Sequence, residues 1–466
     1  MAKNWIDDHF LLKTEAARRL YHETAAALPI IDYHCHLDAK ELAADRHFEN
    51  IAQLWVTGDP YKHRAMRITG VPEAEITGPA TDRAKFDHWA RTLPRTLGNP
   101  LHHWSALELL RYFGVDEPLT SESAPRVWEA CNARLREPGF TARGLLSQRQ
   151  VACVCTSDRL LDDLSGPAIL ATSGFGTRVL PSLRSDDIVA VETTGYGDWL
   201  KQLGLATGVT VDSYEAFRGA VGKRLDAFDA LDCKLADHGL DDFAYLPTSD
   251  EATAALFKQR LSGLLASATD TIRLRSGLLR FLGVEYGRRG WLLQVHLGAQ
   301  RFTSSRLRKQ VGPAGGFACV GKANDIPSVC VWLDELEQAE ALPRTILYPL
   351  NPVDFPALAT LAGSFPGDGV VAKVQLGPAW WFNDHAWGMR AQLDAIANHG
   401  ILSIFIGMTT DSRSLLSMAR HEYFRRVLCG WIGEQIEAGM LPDDHAALSG
   451  LVRDIAYENA RRFLRL

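Results

Sequence analysis

Two histidines separated by a single residue offer the clearest chemistry in this chain. His34 and His36 follow the apolar run PIIDY at residues 29–33. On a strand, side chains two residues apart point to the same side, so both imidazoles can reach one point. Imidazoles in this arrangement are typical ligands of a divalent transition metal, most often zinc. Because a bare HxH motif also occurs as two packed structural histidines, both interpretations stay open on this feature alone.

Two further candidate ligands stand after later apolar runs. His296 follows WLLQV at residues 291–295, and Asp411 follows LSIFI at residues 402–406 within GMTTDSR. Asp411 could be a metal ligand, a general base, or the N-cap of a helix that begins near Ser414. His296 could equally be a hydrogen-bonded structural histidine. Taken together with the HxH pair, these residues predict one mononuclear metal site.

Eight short apolar runs would have to position these side chains. Most are rich in β-branched residues, as strands buried on both faces should be. They lie at residues 29–33, 151–155, 178–182, 232–236, 291–295, 345–348, 370–376 and 402–406. Segments of helical periodicity, such as 214–230 and 389–397, separate them. Strands that alternate with helices predict a parallel sheet, and eight of them predict a (β/α)₈ TIM-type barrel.

The position of the candidate ligands agrees with this architecture, because active sites of such barrels collect at the C-terminal ends of the strands. Two of the runs depart from the usual composition of a buried strand. Pro181 interrupts the third run and Lys234 lies in the fourth.

The domain organisation follows from the spacing of the runs. A length of 466 residues would permit two or three domains, but one barrel domain over residues 1–466 explains the eight runs better. Residues 37–150 and 237–290 are too long for simple crossovers and have helical periodicity. We therefore predict helical insertions after the first and fourth strands, since long structureless loops are rare in compact domains.

Composition excludes several classes of function. Lys and Arg total 50 against 56 Asp and Glu, a net charge of −6, so no excess positive charge suits a nucleic-acid backbone. No apolar run approaches the roughly 18 residues of a membrane span. The charged segment that follows Trp5 is unlike a secretory signal, and the eight scattered cysteines include no CxxC pair. We therefore expect a cytoplasmic protein with reduced thiols.

The sequence resembles the uronate isomerases, also called glucuronate isomerases, a branch of the amidohydrolase superfamily. The matching segments span residues 10 to 426, which is most of the chain. They read FLLKTEAARRLYHE, IIDYHCHL, GDPYKHRAMR, NPLHHWSALEL, VLPSLR, RRGWLLQVHLGAQR, LPRTILYPLNP, WWFND and DSRSLLSMARHEYFRR. The resemblance implies an aldose–ketose isomerase that interconverts D-glucuronate and D-fructuronate, and D-galacturonate and D-tagaturonate, through an enediol.

The resemblance also implies a role for individual positions. Metal binding falls to His34, His36, His296 and Asp411, proton transfer to Asp411 and Tyr61, and substrate binding to Arg184, Arg413, Trp380, Trp381 and Tyr61. Of these, Asp411 is expected to start proton removal and Tyr61 to relay the proton. The expected cofactor is one divalent metal, Zn²⁺, which the enzyme need not hold tightly. The expected partners are a small-molecule uronate and further copies of the chain in a homo-oligomer.

One position departs from the family pattern. The family often has a histidine before the tyrosine, in GDHYK, whereas this chain reads GDPYK with Pro60. A hydrogen bond to the substrate is therefore expected to be missing or to come from another residue. His47 and His63 are candidates, although neither aligns with the lost position.

Two other functions share parts of this pattern. A mononuclear metal-dependent hydrolase or deaminase would use the same histidines and aspartate, and a non-catalytic sugar-acid binding protein could keep the barrel. The sixth run, which continues to Pro352, contains no histidine, and Asp237-His238 stands where a bridging lysine would be expected. These features disfavour a binuclear hydrolase, while Tyr61 and the DSRS…HEYFRR run favour the isomerase.

Overall fold

The computed structural model describes residues 5–263 and 267–466. Parallel strands alternate with helices along the chain. The strands are β1 (Ile30–Asp32), β2 (Val151–Cys155), β3 (Asp158–Arg159), β4 (Arg178–Leu180), β5 (Leu183–Arg184), β6 (Leu235–Leu240), β7 (Leu292–Leu297), β8 (Ala299–Gln300), β9 (Cys319–Val320), β10 (Thr345–Pro349) and β11 (Val374–Leu376).

The α-helices occupy most of the remaining described chain. They are α1 (Glu15–Leu20), α2 (Ala39–Ala43), α3 (Ile51–Trp55), α4 (Pro60–Ile68), α5 (Asp82–Thr92), α6 (Pro100–Phe113), α7 (Ala124–Leu135), α8 (Ala142–Gln148), α9 (Ser165–Thr172), α10 (Asp186–Val189), α11 (Tyr196–Thr207), α12 (Tyr214–Asp229), α13 (Asp250–Leu261), α14 (Ala268–Arg289), α15 (Ser305–Val311), α16 (Ile326–Gln338), α17 (Phe355–Ala362), α18 (Ala386–His399), α19 (Ala419–Glu437), α20 (His445–Arg453) and α21 (Asn459–Leu464). Short 3₁₀ turns lie at Glu73–Glu75, Leu93–Thr96, Pro352–Asp354, Trp381–Asn383, Leu402–Ile404 and Leu415–Met418, and π-helical turns at Tyr21–Ala25 and Asp454–Glu458.

The strands form two parallel sheets. Residues 151–159 contribute β2 to one sheet and β3 to the other, and residues 178–184 contribute β4 and β5 in the same way. One sheet has the order β1-β2-β4 and the other β11-β10-β7-β6-β5-β3, while β8 and β9 form a separate antiparallel hairpin. The backbone N–H of Thr156 donates to Leu180 at 3.0 Å, and that of Asp158 donates to Ser182 at 2.9 Å. These bonds bridge the breaks between β2 and β3 and between β4 and β5. Neighbours in the sheets therefore follow one another along the chain.

Seven of the eight predicted strands overlap an observed strand, with two displacements. The strand predicted at residues 232–236 is β6, which begins only at Leu235, because Asp232 has φ 63° and turns the chain. The strand predicted at 370–376 begins at Val374. The prediction for residues 402–406 is wrong, since Leu402–Ile404 forms a 3₁₀ turn and an irregular extended segment follows it. Gly407, with φ 88°, interrupts any regular ladder there.

This last extended segment nevertheless lies alongside β1. The Tyr33 hydroxyl donates to the carbonyl oxygen of Gly407 at 2.8 Å. The backbone N–H of Asp411 donates to His34 at 3.0 Å, and that of His36 donates to Ser412 at 2.9 Å. The beginning of the sheet and the last extended segment are therefore neighbours, which brings the HxH pair next to Asp411.

The centre of the molecule is apolar on both sides of the sheet. All residues of β7 and β10 are buried, as expected for parallel strands covered on both faces. Residues 37–150 contain the helices α2 to α8. Among the helices of the described residues, none has both the length and the apolar character that a bilayer crossing requires.

A buried carboxylate links α19 to α6 and to the segment before β2. Glu422 accepts hydrogen bonds from Arg111 at 2.9 Å, Arg149 at 3.1 Å and Arg426 at 3.0 Å. Burial would raise the pKa of Glu422, but the arginines outweigh it and lower the pKa to about 2. Because this folded-state pKa lies below that of the unfolded chain, the stabilisation is present above about pH 4.3 and is lost as the pH falls toward 2.

We expect Glu422→Gln to lower the free energy of unfolding at pH 7 by about 3 kcal/mol, since three arginines lose their buried counter-charge. The difference between the variant and the parent protein should shrink between pH 4.5 and pH 2.5. Urea denaturation at several pH values measures it. Asp443→Asn, which removes an exposed partner of Arg19, is the control and should change stability by less than about 0.5 kcal/mol. An equal loss at pH 7 and pH 3 would contradict the assignment.

Candidate functional site

Two imidazoles converge on one carboxylate oxygen. The Nε2 atoms of His34 and His36 lie 3.2 Å and 2.9 Å from Oδ1 of Asp411. Around a tetrahedral zinc ion with bonds of about 2.0–2.1 Å, neighbouring ligand atoms lie roughly 3.3 Å apart. These three residues therefore fit one metal ion by both ligand type and spacing.

The buried carboxylate of Asp32 aligns β1 with the segment that carries Asp411. Its Oδ1 accepts the backbone N–H of Thr410 at 2.9 Å and the hydroxyl of Thr409 at 2.5 Å, and its Oδ2 accepts the Thr410 hydroxyl at 2.5 Å. The Thr409 oxygen in turn accepts the backbone N–H of His34 at 2.9 Å. This network fixes the register between the HxH pair and Asp411.

Asp411 itself is held in an unusual backbone conformation. Its φ is 48°, a left-handed value that costs a non-glycine residue about 1–2 kcal/mol. The indole N–H of Trp380 donates to Oδ2 of Asp411 at 2.6 Å and orients the second oxygen. The alternative role of Asp411 as a helix N-cap is wrong, because Ser414 precedes the 3₁₀ turn that leads into α19.

The pKa shifts of Asp411 and His36 suit metal binding, whereas that of His34 opposes it. Burial would raise the pKa of Asp411, but hydrogen bonds from His34 and His36 hold it well below its ordinary value. Burial lowers the pKa of His36, and Asp411 offsets this only in part. For His34, the opposing effects of Asp411 and Asp237 outweigh burial and raise the pKa. A carboxylate and a neutral imidazole are the forms in which these side chains bind metals.

A second pair, His296 and Asp237, lies beside the first group. Nδ1 of His296 is 2.5 Å from Oδ1 of Asp237, and the imidazole stacks on Tyr348 with ring centres 4.3 Å apart. Its ring is also 4.7 Å from that of His34. The Nε2 atom of His296 is buried and has no hydrogen-bond partner among the described residues. It is therefore the nitrogen left to face a ligand.

Asp237 is a site residue that sequence reasoning missed. Burial would raise its pKa, but His296 outweighs burial and lowers it. The residue lies in β6, one position beyond the end of the predicted fourth strand. The criterion that identified His296, a polar residue directly after an apolar run, would also have found Asp237.

Tyr61 reaches the site from the start of α4. The Asp59 carboxylate caps this helix by accepting the backbone N–H of Tyr61 at 2.9 Å and that of Lys62 at 3.2 Å. The Tyr61 ring contacts Trp104 edge-on, with centres 5.9 Å apart. Burial and the nearby Asp384 raise the pKa of Tyr61 well above its ordinary value, so its phenol is protonated at neutral pH.

The two predicted substrate arginines differ in their partners. Nε of Arg184 donates to Oδ2 of Asp186 at 2.8 Å, and Oδ1 of Asp186 accepts the backbone N–H of Gly239 at 2.6 Å. Arg413 is exposed and has no hydrogen bond or ion pair with any residue in the described part of the chain. Desolvation lowers the pKa of Arg413, although Asp411 raises it. A guanidinium without a protein partner beside a cavity suits a carboxylate ligand.

The tryptophans form one wall of the site. Trp380 lies 4.6 Å from the ring of His296, and Trp381 lies 5.7 Å from Trp380 and stacks on Phe382 at 4.9 Å. Trp381 has φ 49°, a second strained position at this site. The rings provide an apolar surface of the kind that a sugar can contact.

Neither histidine proposed as a substitute at Pro60 enters the site. Nε2 of His63 lies 3.0 Å from the carbonyl oxygen of Val56, and His47 forms a backbone bridge with Thr141. Pro60 itself faces the cavity, and Gly316 packs so closely on its carbonyl that a side chain there would collide.

One cavity of about 270 Å³ brings all the predicted site residues together. Its lining includes His34, His36, Tyr61, Arg184, His296, Trp380, Trp381, Asp411 and Arg413. Residues not predicted from the sequence also line it, among them Asp59, Arg64, Arg159, Asp186, Asp237 and Arg301. The cavity is suited to a small, polar and anionic molecule, because arginines and a potential metal site face it from different sides.

Comparisons with known proteins agree over the full length. A family model described as glucuronate isomerase matches residues 2–464. A uronate isomerase of Photorhabdus laumondii is 43% identical over 468 residues, covering 100% of this chain and 99% of that relative. A uronate isomerase of Bacillus licheniformis is 42% identical, covering 99% and 98%. The crystal structure of a uronate isomerase from Thermotoga maritima is 29% identical, covers 99% of both chains and superposes with a TM-score of 0.93.

We expect the protein to bind about one Zn²⁺ per chain after equilibration with the metal and removal of excess ion. His34→Asn combined with His36→Asn should lower the bound zinc to less than about a tenth, because two of the three converging ligands are lost. Elemental analysis of the dialysed protein measures it. His399→Gln, at the exposed end of α18, is the control and should leave the content unchanged. Full zinc content in the double variant would contradict the site.

Proposed function

The chain belongs to the glucuronate isomerase family, and we propose that Asp411 and Tyr61 carry out the proton transfers of its reaction. It is an aldose–ketose isomerase that interconverts D-glucuronate with D-fructuronate and D-galacturonate with D-tagaturonate. In this reaction a proton leaves C2 and returns at C1, and a second proton moves between the two oxygens through an enediol. A base, a proton relay and a fixed sugar orientation are therefore needed.

Asp411 is the proposed base. The observation that carries this assignment is its carboxylate, which lines the cavity, is ionised, and is held by His36 and the Trp380 indole. A carboxylate fixed in this way can accept the C2 proton without first having to change its own orientation.

Tyr61 is the proposed relay between O1 and O2. Its phenol faces the same cavity and is protonated, so it can donate to one oxygen and regain a proton from the other. The Asp59 cap and the Trp104 contact fix the start of α4, and with it the direction from which the phenol approaches.

Arg413 and Arg184 are the proposed binding residues for the sugar acid. Arg413 has no protein partner in the described chain, so it can form a two-donor contact with the uronate carboxylate. Arg184 is oriented by Asp186 and lies near Asp411, which supports a contact with the reacting end of the sugar. Trp380 and Trp381 would form the wall against which the carbon chain lies.

The proposed cofactor is one Zn²⁺ held by His34, His36 and Asp411. Their spacing fits the ligand geometry of this ion, and His296 remains a predicted fourth ligand through its free Nε2. When bound, such a metal raises the acidity of a substrate hydroxyl and polarises its carbonyl.

We further propose that the sheet is a closed (β/α)₈ barrel and forms one domain over residues 1–466. Contacts between β1 and residues 405–412 support closure. Residues 37–150 and 237–290 are the proposed helical insertions, of which the second begins inside β6.

A homo-oligomer in the cytoplasm is also proposed. Ile68, Leu97 and Trp387 line one surface cavity with 74%, 76% and 81% of their area exposed, which favours burial against another copy. The free cysteines fit a reducing compartment.

The hydrolase or deaminase alternative is not favoured, because the family match spans residues 2–464 and Tyr61 lies in the cavity.

We expect Asp411→Asn to lower kcat for D-glucuronate by roughly 10²–10⁴-fold, because the amide cannot accept the C2 proton. Ketose formation measures turnover, and exchange of the C2 hydrogen with deuterated solvent isolates the first step. Circular dichroism and thermal unfolding must show a folded variant. Turnover equal to that of the parent protein would mean that Asp411 is not the base.

We expect Tyr61→Phe to lower kcat by about 100-fold, since the ring remains but the hydroxyl proton is lost. Exchange of the C2 hydrogen should fall much less than ketose formation, because removal of the first proton does not need the phenol. Tyr457→Phe, on the partly buried surface of the C-terminal helices, is the matched control and should leave both rates unchanged. Unaltered ketose formation in Tyr61→Phe would rule out the relay.

A further inference from the structure

A lysine next to Tyr61 is almost completely buried. The Lys62 side chain is 2% exposed, and its Nζ lies 2.5 Å from Oδ2 of Asp59 and 3.9 Å from Oε2 of Glu108. It also lies over the ring of Trp55 at 5.0 Å. Because removing an ammonium group from water costs several kcal/mol, a buried lysine requires a specific partner, and Asp59 is the nearest one.

The Asp59 carboxylate caps α4 and binds the Lys62 ammonium, and Arg413 is a further potential partner. Its Oδ1 caps α4 through the backbone of Tyr61 and Lys62, while its Oδ2 bonds to the Lys62 ammonium. Asp59 also lines the active-site cavity together with Arg413, and both residues line an adjoining cavity as well. Desolvation lowers the pKa of Arg413, and the negative charges of Asp411 and, to a smaller extent, Asp59 oppose this lowering. Asp59 is thus close enough to act on Arg413, yet the two form no ion pair.

We propose that Lys62 is a positioning residue that holds the Asp59 carboxylate away from Arg413, so that the guanidinium of Arg413 stays available to the uronate carboxylate. The proposal rests on the proposed assignment of Arg413 to the substrate.

The other carboxylate near Lys62 is engaged elsewhere. Oε2 of Glu108 accepts the indole N–H of Trp55 at 2.5 Å, and burial raises the pKa of Glu108 despite Lys62. Burial would also raise the pKa of Asp59, but Lys62 outweighs burial and lowers it. The positive charge of Lys62 is therefore balanced mainly by Asp59.

Stability alone does not account for this lysine. Replacing a buried ion pair by apolar side chains is often neutral or stabilising, so a structural role would be served as well by methionine. Loss of Lys62 alone removes the cation that holds the pKa of Asp59 down, so the buried carboxylate keeps its charge only by pairing with another cation. In the described chain Arg413 is a nearby cation that lacks a protein partner. An ion pair between Asp59 and Arg413 would compete with the substrate carboxylate, which raises KM more than it lowers kcat.

The test compares variants by steady-state kinetics with D-glucuronate. Lys62→Met and Lys62→Gln should raise KM by at least about tenfold and lower kcat by less than about threefold. The glutamine removes the positive charge that balances Asp59 but keeps a polar side chain at this buried position, so the test stays valid if the methionine variant does not fold. Asp59→Asn combined with Lys62→Met should return KM to within about twofold of the parent value, since asparagine caps a helix as well as aspartate but cannot pair with Arg413.

Arg426→Met is the matched control. It also removes a buried cation beside a buried carboxylate, Glu422, but lies outside the cavities described above. It should lower thermal stability and leave KM within about twofold.

Two results would overturn the proposal. One is an unchanged KM in folded Lys62→Gln, and the other is a raised KM that persists in the Asp59→Asn, Lys62→Met double variant. Arg413→Met, measured in parallel, distinguishes a failure of the Arg413 assignment from a failure of the role proposed for Lys62. If Arg413→Met leaves KM unchanged, the assignment of Arg413 fails and the role of Lys62 fails with it. If KM rises in Arg413→Met but not in the Lys62 variants, only the role of Lys62 fails.

Discussion

The structure of the active site depends on the buried carboxylate of Asp32. Its bonds to Thr409 and Thr410 join the first strand to the last extended segment, although no regular ladder connects them. A shift of one residue in that register would turn His34 and His36 away from Asp411, because alternate side chains of a strand face opposite sides. The left-handed backbone at Asp411 is tolerated for the same reason, since the surrounding hydrogen bonds determine where the residue must lie.

Each carboxylate around the cavity has a defined cationic or N–H partner. Asp411 is bound by His36 and the Trp380 indole, Asp237 by His296, Asp186 by Arg184, and Asp59 by Lys62. In the described structure this pairing leaves one cavity arginine, Arg413, with neither a hydrogen bond nor an ion pair. A local positive charge therefore remains at the cavity, where the proposed anionic substrate would bind, even though the whole chain carries a net charge of −6.

Sequence patterns predicted the parts of the fold that depend on hydrophobic periodicity. Buried parallel strands such as β2, β7 and β10 are continuous apolar runs, and their boundaries follow from composition. The parts that were missed depend on backbone conformation and on side-chain bonds between distant residues. The left-handed residue Asp232 displaces the start of β6, so the predicted fourth strand ended one residue before Asp237, and Gly407 breaks the regularity of the predicted eighth strand. No local pattern records that Asp59 shares its carboxylate between a helix cap and a buried lysine.

The proline at position 60 stands where the family pattern GDHYK would have a histidine. Pro60 occupies the first position of α4, where a missing N–H is not needed and a fixed φ favours helix initiation. Its ring replaces an imidazole, so the hydrogen-bond donors of this part of the cavity must come from elsewhere. Arg64 and Arg301 line the same cavity, and each carries five N–H donors, only some of which are bonded, to Ala318 and Asp241 respectively. Guanidinium groups can therefore supply the hydrogen-bond donor that the resemblance predicts from a histidine, while the proline stiffens the helix that carries Tyr61.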